Sequence, residues 1–214
     1  MGLIEQILDD TLITPDPESR AIRDRLFKAL MDDAYQREGA RAFESPREHA
    51  ALHEAGHAVI SQTENIAVKH VRVDDRWIAG IQCWNGFTAS NHQVETSPHT
   101  TIEQDFLSAR MMIAGVVAEQ CFLPDFRAGS SLNEVVFGHM IVKNMAAKVR
   151  GGDEEQILLM IVNSVATDLQ GNERTLRAIA AALMHARIVR GAPLRKLLAN
   201  VRRVSPAPPK SEES

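Results

Sequence analysis

Five consecutive residues carry the chemistry in this chain: His53-Glu54-Ala55-Gly56-His57. Two histidines four positions apart stand one turn apart on a helix, so both imidazoles point to one side and can hold a single divalent ion. Glu54 lies beside that pair, near enough to act as the catalytic base that takes a proton from a zinc-activated water. Zinc (Zn2+) lowers the pKa of water towards about 7 and polarises a carbonyl, so the reaction class is hydrolysis. The flanking residues Ala50, Ala51, Leu52, Ala58, Val59 and Ile60 are small or apolar, which reads as a buried helix. Two imidazoles and a carboxylate are costly there unless a metal or hydrogen-bonding partners compensate, and a hydrogen-bonded polar seam is the alternative use of the same residues. His49, one turn earlier on this face, reads as a surface or supporting residue rather than a ligand. A zinc hydrolase also needs a third protein ligand and an open fourth position. The remaining His, Asp and Glu residues are the candidates, and composition does not choose among them.

The elements that must position this motif follow from caps and periodicity. Ser45-Pro46-Arg47-Glu48 is a helix start: Ser45 can cap, Pro46 suits the first helical position and Glu48 completes a capping box, so the helix is expected to run to about Gln62. Before it, residues 1–43 read as a helical N-terminal arm, with Leu3, Ile4, Ile7 and Leu8 on one stripe and Ile22, Leu26, Leu30 and Met31 on another. Thr14-Pro15-Asp16-Pro17 breaks the two apart. Residues 68–73 and 78–84 are β-rich and predict a small hairpin turning at Asp74-Asp75-Arg76. A loop is expected over 85–100. Helices are then expected over 101–123, from 132 or 133 to 150, over 153–169 and 172–189, and briefly near 192–203. The tail 205–214 holds three prolines among polar residues and is expected to be disordered.

Composition bounds the function. With 214 residues, 44% hydrophobic and 24% charged, the chain is globular rather than disordered or fibrous. Aromatics make up only 5%, so the core must be built from Ala, Leu, Ile, Val and Met, which favours a mainly α fold. A net charge of -4 gives no basic field to attract nucleic acid or anionic lipid. No apolar run approaches the roughly 20 residues of a membrane span. Cys83 and Cys121 form no CxxC pair, and the N-terminus resembles neither a signal peptide nor a good myristoylation site, so a cytoplasmic location is expected.

The stretch from Leu52 to Val59 resembles the zinc helix of the peptidase domain of FtsH-type AAA metalloproteases, whose motif is HEAGH followed by Ala. Ile113-Ala114-Gly115-Val116-Val117-Ala118-Glu119-Gln120 resembles that family's GGRxAEE segment. Ala128-Gly129-Ser130-Ser131-Leu132-Asn133-Glu134 resembles its TGASNDL segment, whose Asp is the third zinc ligand. Leu169-Gln170-Gly171-Asn172-Glu173 and the apolar positions after it follow its C-terminal helices, so the resemblance covers roughly 45–200. It implies an FtsH-peptidase-like zincin helix bundle with a small β-hairpin over 44–204, and a zinc metalloendopeptidase. Counting from Gly129 puts Asn133 on the ligand position; counting back from Lys143-Asn144-Met145 puts Glu134 there. Glu134 is preferred because a carboxylate is a far better oxygen ligand than an amide.

The match further implies that Glu119 orients a zinc histidine, a surface glutamate near a helix C-terminus being the equal alternative; it carries no role onto Gln120 and places 80–84 as a strand beside the cleft. Cys83 and Trp84 read equally as packing residues, and His70, His92, His99, His139 and His185 have no spacing that demands a site. The sequence has no GxxxxGK[ST] loop, so the expected activity is ATP-independent cleavage of flexible or unfolded polypeptides, or of one specific partner. Family peptidase domains form rings, so a homo-oligomer is implied by resemblance. Two other readings use the same residues: a zinc-containing pseudopeptidase serving as a protein-binding module, and a metal-free helical assembly protein that uses the arm.

Overall fold

A computed structural model describes residues 25, 28–29, 31–37, 39, 42, 44–78, 81–92, 94, 97–124, 132–149 and 151–206. Among them the protein is mainly helical, with a small three-stranded antiparallel sheet. The order is α1 (Arg47–Thr63), β1 (Val68–Ile78), β2 (Ile81–Ser90), α2 (Ile102–Phe122), α3 (Leu132–Lys148), α4 (Glu154–Gly171), α5 (Glu173–His185), β3 (Ile188–Arg190) and α6 (Gly191–Leu198). A helical stretch at 31–37 belongs to the expected arm, where Met31 and Ala34 are buried. The rest of the arm's pattern, including the breaker at 14–17, lies outside the described residues. So does the tail beyond 206. No helix among the described residues is long and apolar enough to cross a membrane.

Helix α1, which carries His53, Glu54 and His57, is the central element. Its small and apolar residues are buried almost all round, and it packs against α2, α5 and the sheet. Its start differs from the sequence expectation. Pro46 is the N-cap, in extended conformation, and no side chain caps the helix. Ser45 stands one residue before the cap, and its carbonyl accepts the N–H of Trp84 in β2 at 2.8 Å, joining the chain to the sheet. A genuine capping box occurs instead at α2, where Thr101 and Gln104 exchange side-chain and backbone hydrogen bonds.

The hairpin is longer than expected, and its turn lies elsewhere. Asp74 and Asp75 are not turn residues; they pair within the ladder with Asn85 and Trp84. Asp75 tolerates the strand because its carboxylate meets Arg187 at 2.6 Å. Ile78 pairs with Ile81, so the connection is the two residues 79–80, and residues 85–90, expected as loop, are strand. The helix expected over 172–189 ends at His185, and 188–190 pair with β1 as a third strand. Three residues with only Val189 buried are too short to distinguish strand alternation from helical periodicity.

Two buried polar networks fix the helices. Asp105 of α2 accepts hydrogen bonds from the Thr100 hydroxyl (2.6 Å), Asn144 (3.0 Å) and Lys148 (2.6 Å), which locks α3 against α2. Arg110, fully buried in α2, forms an ion pair with Asp168 of α4, donates to Ser164 at 2.6 Å and lies 2.7 Å from Glu64. Asp168 also accepts the backbone N–H groups of Val204 and Ser205 at 2.6 and 2.7 Å. Ser205 is therefore buried and held, so the start of the segment expected to be disordered is ordered. Those bonds hold the Asp168 carboxyl below its ordinary pKa, although burial alone would raise it.

Candidate metal centre

Backbone proximity builds the site. A Cβ on Gly56 would lie 2.7 Å from the Ala114 carbonyl and 2.7 Å from Ala118, so only glycine lets α1 and α2 approach this closely. A Cβ on Gly115 would lie 2.2 Å from Nε2 of His53, so the space above that residue is filled by the imidazole. The close approach sets the outward face of each ring. His53 Nδ1 meets the buried carboxylate of Glu119 at 2.6 Å, and His57 Nδ1 donates to the Met111 carbonyl at 2.9 Å. His49 is buried as well, with Nδ1 3.6 Å from the other Glu119 oxygen, so it supports the site from inside rather than from the surface.

With each Nδ1 facing an acceptor, the Nε2 atoms of the two rings are the ones turned inward. Those two nitrogens are 3.0 Å apart, and Oε1 of Glu134, from the first turn of α3, lies 2.9 Å from one and 3.0 Å from the other. Three acceptors at this spacing repel one another unless a cation or protons lie between them. Around a tetrahedral zinc such donors stand about 3.3 Å apart, so the set needs to open by only roughly 0.3 to 0.4 Å. Oε2 of Glu134 is shielded from solvent and has no hydrogen-bond partner among the described residues. The donor set of two imidazoles and one carboxylate suits zinc, and the residues fit that ion.

The electrostatics point the same way. Burial is the largest influence on both rings and disfavours imidazolium. It is outweighed by the Glu134 charge and by carboxylate hydrogen bonds, so both pKa values rise above the ordinary histidine value, that of His53 well above. Burial also opposes ionisation of Glu134, yet the two imidazoles pull its carboxyl down to about 2. Each shift states that the cluster attracts positive charge.

Glu54 faces a cleft of about 230 Å³ that it shares with His57 and Glu134. Burial raises its pKa, opposed by His57, His53 and the Thr88 hydroxyl, which donates to Oε2 at 2.7 Å. A Cβ on Gly86 would sit 2.0 Å from the Glu54 side chain, so β2 presses its backbone against the carboxylate.

The structure thus brings His53, His57 and Glu134 together with Glu54 beside them, and Glu119 behind His53. Asn133, adjacent to Glu134 on α3, points about 100° away from it around the helix axis. The ligand-segment residues 128–131 lie outside the described residues. Among the described residues, the strand positions lining the cleft are Gly86, Phe87, Thr88 and Ser90, while residue 80 lies outside them. Cys83 is buried, and Trp84 is stacked by the guanidinium groups of Arg47 and Arg187 at 4.7 and 5.5 Å, which makes both packing residues. Sequence reasoning missed Gly86, Thr88, the Met111 carbonyl and His92, which also borders the cleft. Only strand alternation from Gly86 to Thr88 to Ser90 could have signalled the first two, once the hairpin's turn was correctly placed.

Compared with known protein families and with curated proteins, the sequence finds no matching family model and no matching curated protein.

Gly115→Ala tests the backbone-built geometry. Its methyl group must displace His53, and we expect zinc affinity to fall by about 10- to 100-fold in competition with a chromophoric chelator. Unchanged affinity would mean that His53 does not need this position.

Proposed function

We propose that the chain is a zinc-dependent metalloendopeptidase with an FtsH-peptidase-like fold, in which His53, His57 and Glu134 hold the metal and Glu54 is the general base. One observation carries the reading: two Nε2 atoms and a carboxylate oxygen converge within 3.0 Å of one another at the wall of a cleft. Zinc, when held there, supplies Lewis acidity towards water and towards a peptide carbonyl. Glu119 and the Met111 carbonyl keep each ring in the tautomer that offers Nε2 and limit its rotation. Glu54 accepts the proton released by attacking water and later gives it to the leaving amine. Thr88 holds the carboxylate in one rotamer meanwhile. The sequence holds no GxxxxGK[ST] motor loop, so the substrates we propose are flexible or unfolded polypeptides.

The test is metal analysis of purified protein beside cleavage of a denatured, dye-labelled polypeptide. One zinc per chain, a higher melting temperature with zinc than after chelation, and cleavage lost on chelation are expected. Glu134→Ala should lose most of the metal. Full occupancy in that variant would move the third ligand elsewhere, and a metal-loaded wild-type protein that cleaves nothing would favour a binding module.

A further inference from the structure

We infer that the basic surface formed by β3 and α6 is a docking site for this chain's own acidic N-terminal segment, residues 1–19; the inference stands apart from the hydrolase reading above. Charge is divided unevenly along the chain. From Arg174 to Arg203 there are eight Lys and Arg residues and no Asp or Glu, whereas residues 1–19 hold five Asp and Glu and no Lys or Arg. Three of the eight cations are neutralised locally: Arg177 by Glu173 at 2.7 Å, Arg187 by Asp75 at 2.6 Å and Arg203 by Glu64 at 3.0 Å. Arg190, Arg195 and Lys196 are exposed and have no ion pair among the described residues. Arg190 ends β3 and α6 starts at the next residue, so the three are close neighbours along the chain.

Apolar surface lies beside them. Met184 and Ile188 are 40% and 41% exposed. On the face of the sheet turned away from α1, Ile188 stands in one row with Arg72 of β1 and Phe87 of β2, itself 53% exposed. Unpaired cations mixed with exposed apolar side chains fit an acidic segment that carries apolar residues. Residues 1–19 have that composition, with Leu3, Ile4, Ile7 and Leu8 standing among Glu5, Asp9 and Asp10.

Residues 1–19 lie outside the described residues, and the choice of occupant follows from where the arm enters the domain. It joins α1 at Ser45, whose carbonyl accepts the Trp84 N–H; Arg47 donates to the Leu183 carbonyl at 2.8 Å, and Arg187 lies over the same Trp84 ring at 5.5 Å. The tether therefore starts against the end of α5 and the approach to β3. About 25 residues separate residue 19 from Ser45, and an extended chain covers up to about 3.3 Å per residue, so the surface is within reach. A tethered segment is present at an effective concentration on the order of millimolar, which favours it over diffusing partners. An external polyanion must also approach a molecule whose net charge is -4.

The experiment uses the full chain and zero-length carbodiimide coupling, which joins Lys196 Nζ to a carboxylate in contact with it, read by peptide mass spectrometry. In wild type, Lys196 should couple to carboxylates within residues 1–19, and the yield should fall about fivefold in roughly 0.5 M salt. Arg190→Glu with Arg195→Glu should lower the yield about fivefold as well, with the melting temperature within about 2 °C of wild type because both side chains are exposed and unpaired. Adding Asp9→Lys and Asp10→Lys to that variant should restore coupling between the segment and the surface.

No link between Lys196 and residues 1–19, or a link whose yield ignores the charge reversal, overturns the inference. Links that join light to heavy-isotope chains in a mixed sample also overturn it, because they would give the surface to a second copy. Single-stranded oligonucleotide or phosphatidylserine vesicles that bind wild type at roughly 0.15 M salt, and fail to bind the Arg190→Glu, Arg195→Glu variant, would give it to an external polyanion and overturn it too.

Discussion

Glu54→Gln should abolish peptide hydrolysis while leaving the metal in place. The amide is nearly isosteric with the carboxylate and keeps an oxygen for the Thr88 hydroxyl, so the close fit against Gly86 survives. What is lost is the ability to accept a proton near neutral pH. General-base contributions run from about 10² to 10⁴, and we expect a fall of about 10³ in kcat. Zinc content should match wild type, since Glu54 does not belong to the converging triad. The two measurements are made on the same preparation. A variant that keeps both its zinc and its activity would remove Glu54 from the mechanism and require another base.

The second large effect concerns stability. Asp168→Ala removes the carboxylate that pairs with the fully buried Arg110 and that accepts two backbone N–H groups from the C-terminal segment. Arg110 cannot lose its proton, so its charge is left without its closest counter-ion in the core, next to Glu64 alone. Breaking a buried pair in this way costs about 3 to 5 kcal/mol. At about 2 to 4 °C per kcal/mol for a chain of this size, the melting temperature should fall by roughly 10 °C. Asp168→Asn keeps one acceptor oxygen and should lose less. Equal stability of Asp168→Ala and wild type in thermal and urea unfolding would show that the network adds nothing net.

Much of the architecture was legible because its signals are local. The Pro46 start, the Gly151-Gly152 stop and the apolar periodicity of α2 to α4 each arise from neighbouring residues, and those helices fall close to their expected limits. The strands were harder. Asp74 and Asp75 look like turn residues until a distant residue, Arg187, is seen to neutralise one of them, and no local pattern contains that partner. The same limit explains Ser205: its order comes from Asp168, 37 positions earlier.

At the site, the spacing of His53 and His57 fixed their shared face, as helical geometry requires. Glu134 could be preferred on ligand chemistry, but its arrival beside the imidazoles depends on α3 being clamped through Lys148 and Asn144 at its far end. Gly86 and Gly115 carry no chemistry of their own. Their importance is a matter of space, visible only once the neighbouring chain is in place.

The three glycines also make backbone separation the ruler of this centre. Gly56 sets how near two helices come, Gly115 leaves the volume one imidazole fills, and Gly86 does the same for a carboxylate. Tolerance to change is therefore one-sided. The smallest residue already stands at each of these places, so any single replacement there adds bulk, and drift can only crowd the nest, never enlarge it.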